Sequence, residues 1–382
     1  MKYASLLLAT SLSLLQVDVA AADSLNVRLL GSCDTPHNAM DVAVSGGYAY
    51  ITDGDSGLRV ISIADPAHPV EVGRFKPSNF IHGLDVAGDY AYLAAGSNGL
   101  IVVSITDPSR PVQVGYCPAF WPEEVVVRGD HAYVADYMDG MKVISIADPT
   151  HPAEVGHFGS PECAYGIALS GSYAYVADYL GGFWVISVAD PTHPVEVGHC
   201  GPTGGEKVAV AGNYAYLADR DSGVRVISVA DPANPVEVGH CSTSNAWGVT
   251  ISGDYVYVGD QDAGLRVLSI ADPEHPVERG YYDTPGAAHC VAVDGGYAYV
   301  ADGFYGLQIL QFYGAGVEES RKQQAVGRRP AATVRRGLSP GAVVFDAMGR
   351  RVVNPKPGVY FVRPASSVKP DASCVTKVVI QR

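Results

Sequence analysis

Seven side chains with chemical potential recur in this 382-residue sequence at a fixed phase. Eight residues before each of the landmarks Tyr48, Tyr90, His131, Tyr173, Tyr214, Tyr255 and Tyr297 stand Met40, His82, Glu123, Tyr165, Glu206, Trp247 and His289. The next column reads Asp41, Gly83, Glu124, Gly166, Lys207, Gly248 and Cys290. Imidazoles and carboxylates such as His82, Glu123, Glu206 and His289 can ligate a divalent metal or supply acid–base groups. Mixed side chains of this kind equally suit a polar, solvated mouth. No phosphate loop and no HExxH string accompanies them, which favours binding over catalysis.

The landmarks themselves are separated by 42, 41, 42, 41, 41 and 42 residues. Self-similarity at that period indicates a stacked-repeat architecture. Each unit holds four short strand-like runs, exemplified by VAVS, YAYITD, LRVISIAD and PVEVGRF after Asp41. Gly, Asp and Pro punctuate the joints, which is turn chemistry. Four antiparallel strands with two apolar faces are not stable alone, and radial stacking buries both faces. The expected fold is all-β: a seven-bladed β-propeller closed by an N-terminal strand, with a small C-terminal β module. Six fourth strands are present, and the seventh unit ends at LQILQF without one. LNVRLLGSC, at 25–33, matches the PVEVGHC pattern and is expected to complete the last blade, removing its open edges.

These units resemble the LVIVD repeat family, whose core appears here as RVISIADP, VVSITDP, KVISIADP, WVISVADP and RVLSIADP. The resemblance implies a secreted or surface-exposed repeat protein and no particular activity. The tail is similar to the C-terminal sorting module of type IX secretion, through FDAMGR at 345–350, GVYF at 358–361 and KVV at 377–379. That likeness implies the type IX machinery as a partner, and a small β appendage is the plain alternative. Residues 1–22 have the basic start, apolar segment and small-residue end of a signal peptide. The expected divisions are therefore a signal peptide at 1–22, the propeller at 23–313, a linker at 314–336 and the sorting-like module at 337–382. Export through the periplasm to the medium or outer cell surface follows, with no transmembrane segment, because no apolar run approaches the roughly 20 residues a span needs.

Charge divides the chain. Residues 314–382 carry 13 Lys+Arg against 4 Asp+Glu, whereas residues 1–313 carry 13 against 36. An acidic body repels phosphate backbones, so nucleic acid is not an expected partner.

Two repeated carboxylates belong to the scaffold. One closes the second strand (Asp53, Asp136, Asp178, Asp219, Asp260, Asp302; Ala95 in the second unit), and one precedes Pro (Asp65, Asp107, Asp148, Asp190, Asp231, Asp272). Both are expected to bond their own turns. No cofactor is expected, calcium or another divalent ion being the only candidate. Asp85, where other units place Ala43, Val126, Ala168, Ala209, Thr250 and Ala292, is either a buried, hydrogen-bonded carboxylate or a strand-edge charge in water. Cys33, Cys117, Cys200 and Cys241 share a position with Phe75, Phe158 and Tyr282. That position is apolar packing, and adjacent blades lie too far apart for these four to bridge one another.

One rim of the propeller carries the uniform SGD and ADPxHP turns, and the other carries the variable links. Loops without scaffold duty commonly hold binding residues. The candidate ligand-binding residues are Phe80, His82, Phe120, Trp121, Glu123, Glu124, Tyr165, Glu206, Lys207, Trp247 and His289, with Phe80, Phe120, Trp121, Tyr165 and Trp247 as exposed aromatic platforms. Two readings of function follow: a binding module for an extracellular protein or glycan, or a metal-dependent hydrolase or lyase at the channel mouth.

Overall fold

The computed structural model describes residues 24–159, 163–201 and 204–314, together with four strands of the tail. The described residues up to Gly314 belong to one compact unit and the four tail strands to a second. The signal-peptide segment, all but Gly314 of the 314–336 linker, and Cys374 lie outside the described residues.

The first unit is a seven-bladed β-propeller. Each blade is a four-stranded antiparallel meander running outward from the axis, as in blade 1: Asp41–Ser45, Tyr48–Thr52, Leu58–Ser62 and Val70–Phe75. Alternation along the strands sends neighbouring side chains to opposite seams. Tyr50 and Val60 pack against Leu93 and Val103 of blade 2, whereas Ile51 and Ile61 pack against Tyr299 and Ile309 of blade 7. Seven such clusters, one at each seam, make up the core.

Closure occurs where the strand count requires it. Val27–Cys33 pairs antiparallel with Leu307–Phe312, the third strand of blade 7. It also shares the outer-strand bulge, here between Leu29 and Gly31. Gly31 repeats a steric constraint of the other outer strands: a Cβ there would overlap the carbonyl of Pro66 in the next blade, as one at Gly73 would overlap that of Pro108. One feature was not foreseen. Ser24–Leu25 leaves blade 7 and adds a fifth strand to blade 6 beside Val277–Tyr282, the chain turning at Asn26 in the left-handed region (φ 55°).

The two aspartate columns separate. Asp65, Asp107, Asp148, Asp190, Asp231 and Asp272 bond the amide two residues on, as expected of turn carboxylates. The strand-closing aspartates depart from the expectation, reaching mainly into the link that enters their own blade. Asp136 accepts from the Phe120 and Trp121 amides at 2.9 and 2.6 Å, Asp260 from Ser244 and Asn245, and Asp302 from Gly286. In four blades a cation six residues further on balances the buried charge: Arg59 on Asp53, Lys142 on Asp136, Arg225 on Asp219 and Arg266 on Asp260. Blade 2, which has Ala95 in place of Asp, has Ile101 in place of the cation. Blade 7 keeps the aspartate but places Gln308 at the cation's position. Burial then pushes the Asp302 carboxyl up to about 6, against hydrogen bonds from Thr284 and Gly286.

The six described cysteines are unbridged. In the second unit, Val343–Phe345, Arg351–Val352, Gly358–Arg363 and Thr376–Ile380 form an antiparallel sheet in which the first strand lies between the second and third.

Two outcomes follow for stability. A permutant that begins at Asp34 and carries Val27–Cys33 after residue 313, through a short turn, should melt cooperatively near the parent temperature, because Val27 already faces Phe312. Deleting the same strand should abolish cooperative melting by circular dichroism. Asp302 binds its proton more tightly folded than unfolded, so its contribution to stability is full below the unfolded pKa near 3.8 and is lost as pH rises through about 6. The unfolding free energy of Asp302→Asn relative to the parent should therefore rise by about 2 kcal/mol between pH 4 and 7 in denaturant titrations; a flat difference contradicts this account.

Candidate functional site

The innermost strand of every blade begins at the variable rim, so the residues that open these strands meet around the axis. Met40, His82, Glu123, Tyr165, Glu206, Trp247 and His289 all line one cavity of about 270 Å³, together with Lys207 and Arg220. One repeat position thus becomes a ring of seven unlike side chains.

The following column forms the cavity floor. Gly83, Gly166 and Gly248, in blades 2, 4 and 6, admit the backbone of the next blade: a Cβ on them would meet the carbonyls of Glu123, Glu206 and His289. The odd blades contribute Asp41, Glu124, Lys207 and Cys290, which fill the axis. The Lys207 ammonium lies 3.1 Å from Asp41 and pairs also with Glu124. Burial opposes its charge, the combined pull of Asp41 and the other acidic neighbours outweighs that, and the lysine pKa stands above its ordinary value. Behind this cluster the channel continues as a second space of about 480 Å³ lined by Asp41, Asp85 and the inner strands. Asp85 is half-buried there and hydrogen-bonded, accepting from the amides of Val86 and Val127 at 2.7 Å each. It is not a bare strand-edge charge.

Most polar groups of the mouth are already paired; His82 Nε2 is buried without a hydrogen-bond partner. His82 Nδ1 lies 2.9 Å from a Glu123 carboxylate oxygen. Glu206 pairs with Arg220, and burial nevertheless raises its carboxyl above the usual range. Gln261 Nε2 donates to His289 Nδ1 at 3.1 Å, leaving the proton on Nε2. Burial lowers the His289 pKa to about 4, so this imidazole is neutral near pH 7. The four residues considered as metal ligands share the cavity but not a common point: among the described residues no three His, Cys, Asp or Glu side chains are placed to hold a metal ion.

Aromatic rings surround the cavity in two arcs. Ring centres follow one another from Phe304 to His37 (6.0 Å), Phe80 (6.4 Å), His82 (4.8 Å) and Trp121 (6.1 Å). The other arc runs from Tyr137 to Tyr165 (5.6 Å) and Tyr179 (6.0 Å), then through the Arg220 guanidinium to Trp247 and His289. Phe120 and Trp121 are exposed, as platforms should be. Phe80, Tyr165 and Trp247 are half-buried instead, because ring-on-ring packing covers one face of each. Glu124 belongs to the floor rather than the wall.

Sequence reasoning places the aromatics of the DYMDG and DYLGG turns, Tyr137 and Tyr179, on the variable rim without making them ligand-binding candidates, and it missed Arg220 and Gln261. All four occupy the column after the strand-closing aspartate, which elsewhere reads Gly54, Gly96 and Gly303. That position is left-handed in six blades, with φ of 44° at Tyr137, 38° at Arg220 and 48° at Gln261. Glycine occupies such a conformation freely, and a residue with a Cβ costs roughly 1–2 kcal/mol there. Side chains replacing glycine in that column were the available signal.

The fold and this blind, polar-aromatic mouth define a β-propeller with a single differentiated face. The LVIVD repeat matches residues 36–76, 82–118, 123–159, 163–201, 205–243, 244–284 and 285–310, and the chain belongs to the LVIVD repeat family. No curated protein is significantly similar to it. Similar solved structures include the RRP9 WD40 repeats (10% identity, TM-score 0.63, covering 77% of this chain and 100% of that one). The WD40 β-propeller domain of Doa1 is comparable, at 11%, 0.61, 76% and 98%. The computationally designed Ika8 protein gives 11%, 0.55, 74% and 98%. At these identities the likeness is one of fold.

Lys207→Met should lower stability by about 3 kcal/mol or more, since it strands two carboxylates in the floor. Denaturant titrations at pH 7 test this, and an unchanged unfolding free energy overturns the floor assignment.

Proposed function

We propose that this chain is a binding module of the cell exterior, exported through the periplasm, and that it holds an extracellular ligand at the channel mouth. The observation that carries this reading is the contrast between scaffold and mouth. Seams, bulges and one set of turns repeat almost unchanged, while the seven residues opening the inner strands differ from one another and line one cavity. Three left-handed turn residues that touch the mouth or its lining accept backbone strain where other blades use glycine, a pattern that gathers at ligand sites. Pre-held polar groups among aromatic walls are what a binding pocket requires.

Location rests on sequence. The leader at 1–22 and the FDAMGR, GVYF and KVV motifs support export followed by recognition of the tail by the type IX machinery. In this reading 23–313 is the functional body and 337–382 its address.

Cells producing the full chain should yield a mature protein beginning at Asp23 by mass spectrometry, and protease added to intact cells should remove it. An unprocessed chain retained inside the cell contradicts the reading. At the mouth, Trp247→Ala combined with Trp121→Ala should reduce retention of cell-envelope material by the immobilised protein while shifting the melting temperature little. Retention should survive EDTA, because most of the mouth's polar groups are held by one another. Abolition by EDTA with restoration by calcium would favour a metal-dependent mouth instead.

A further inference from the structure

The chemistry of the mouth narrows the ligand. Its charged side chains are paired within the mouth: Glu206 with Arg220, and Lys207 with Asp41 and Glu124, while Glu123 lies against the His82 imidazole. An ionic ligand would have to break one of these pairs, and separating a buried pair is costly. Backbone recognition of a peptide is also poorly served. The link amides of His37, Phe120, Trp121, Ser244, Asn245 and Gly286 already donate to the strand-closing aspartates. Strand addition, which depends on a free ladder of backbone groups, has little to use on this rim.

What the mouth offers is aromatic faces interleaved with fixed, uncharged or neutralised hydrogen-bonding edges. Trp247 and Tyr165 present rings, His289 carries its proton on Nε2, and the Glu206–Arg220 pair supplies both acceptors and donors. A ligand complementary to this set has an apolar C–H face and a rim of hydroxyl groups, and no net charge. From His82 in the cavity wall, the rings from Phe304 to Trp121 continue the same surface across blades 7, 1 and 2 and the link into blade 3, with Phe304 71% exposed at its far end. The floor ends the cavity, so a chain enters by one end and does not thread through.

We propose that the cavity takes the terminal unit of a neutral oligosaccharide and that the Phe304–His37–Phe80–His82–Trp121 arc carries the units that follow. This inference rests on the binding reading above and specifies its ligand class. The cavity, about 270 Å³, accommodates one sugar ring.

The test is titration of the full chain with neutral gluco-, manno- and galacto-configured mono- to hexasaccharides, by calorimetry and tryptophan fluorescence, at low and high salt. At least one series should bind, with affinity rising with length and unchanged by salt. Trp247→Ala should weaken every member of that series about tenfold or more, as loss of a central aromatic contact does. Trp247→Phe should restore part of the loss, which separates stacking from folding. Phe304→Ala alters a highly exposed ring, and it should flatten the length dependence while leaving the monosaccharide affinity unchanged. The inference is overturned if no neutral saccharide binds, if only charged saccharides bind with affinity that falls as salt rises, or if Trp247→Ala has no effect. Mouth-dependent capture of a peptide or protein without any saccharide overturns the ligand class and leaves the binding reading intact. Retention of nothing by the intact mouth removes both.

Discussion

Every feature of this molecule depends on one constraint: a four-stranded meander with two apolar faces cannot bury either by itself. Each seam cluster draws side chains from two neighbouring blades, so no blade has a core of its own. Only a ring leaves no face uncovered, and the ring is closed by strand pairing rather than by a covalent link. The closing segment does more than complete blade 7. Val27 is buried in the seam between blades 6 and 7, and Ser24–Leu25 crosses to the edge of blade 6, with the Asn26 amide side chain donating to the Arg279 carbonyl at 2.7 Å. The latch therefore spans the seam between blades 6 and 7, and stability there is shared between hydrogen bonding and burial.

A second constraint governs the variable face. A link that changes in sequence from blade to blade still has to satisfy its backbone amides. The strand-closing aspartates do this with a side chain that belongs to the scaffold, reaching back 15 or 16 residues to the link amides. Because the carboxylate supplies the acceptor, link side chains are free to be Phe, Trp, Asn or Gly. The cost is a buried charge, which four blades offset with Arg or Lys and blade 2 avoids altogether. Scaffold chemistry and ligand chemistry are thereby separated within a few residues of each other.

The sequence made the fold legible because period and strand count are global signals that no local ambiguity can erase. The mouth column was legible for the same reason: a fixed phase relative to Tyr-x-Tyr carries Met40 and His289 to one place despite their separation in the chain. Contacts set by side-chain reach were not. The aspartates read as turn residues because a carboxylate bonding two residues on and one bonding sixteen residues back have the same local sequence. Arg220 and Gln261 escaped because their column is half glycine, so its meaning lies in backbone conformation rather than in residue type. The crossing of Ser24–Leu25 to blade 6 depends on a single left-handed residue, Asn26, and leaves no periodic trace.

The floor shows how an odd number of blades shapes the mouth. Seven side chains do not fit on the axis, and glycine in blades 2, 4 and 6 relieves the crowding by letting each following blade approach. Strict alternation around seven positions must fail once, and it fails between blades 7 and 1, where Cys290 and Asp41 are neighbours. A thiol is small enough to be accepted there, and burial pushes its pKa up to about 12, so it adds no second negative charge beside Asp41. Lys207, from the opposite side of the ring, then pairs with Asp41 and Glu124 together. Symmetry breaking at the axis is thus what closes the channel, and a closed channel is what converts a pore through a repeat protein into a cavity with a single entrance and unlike walls.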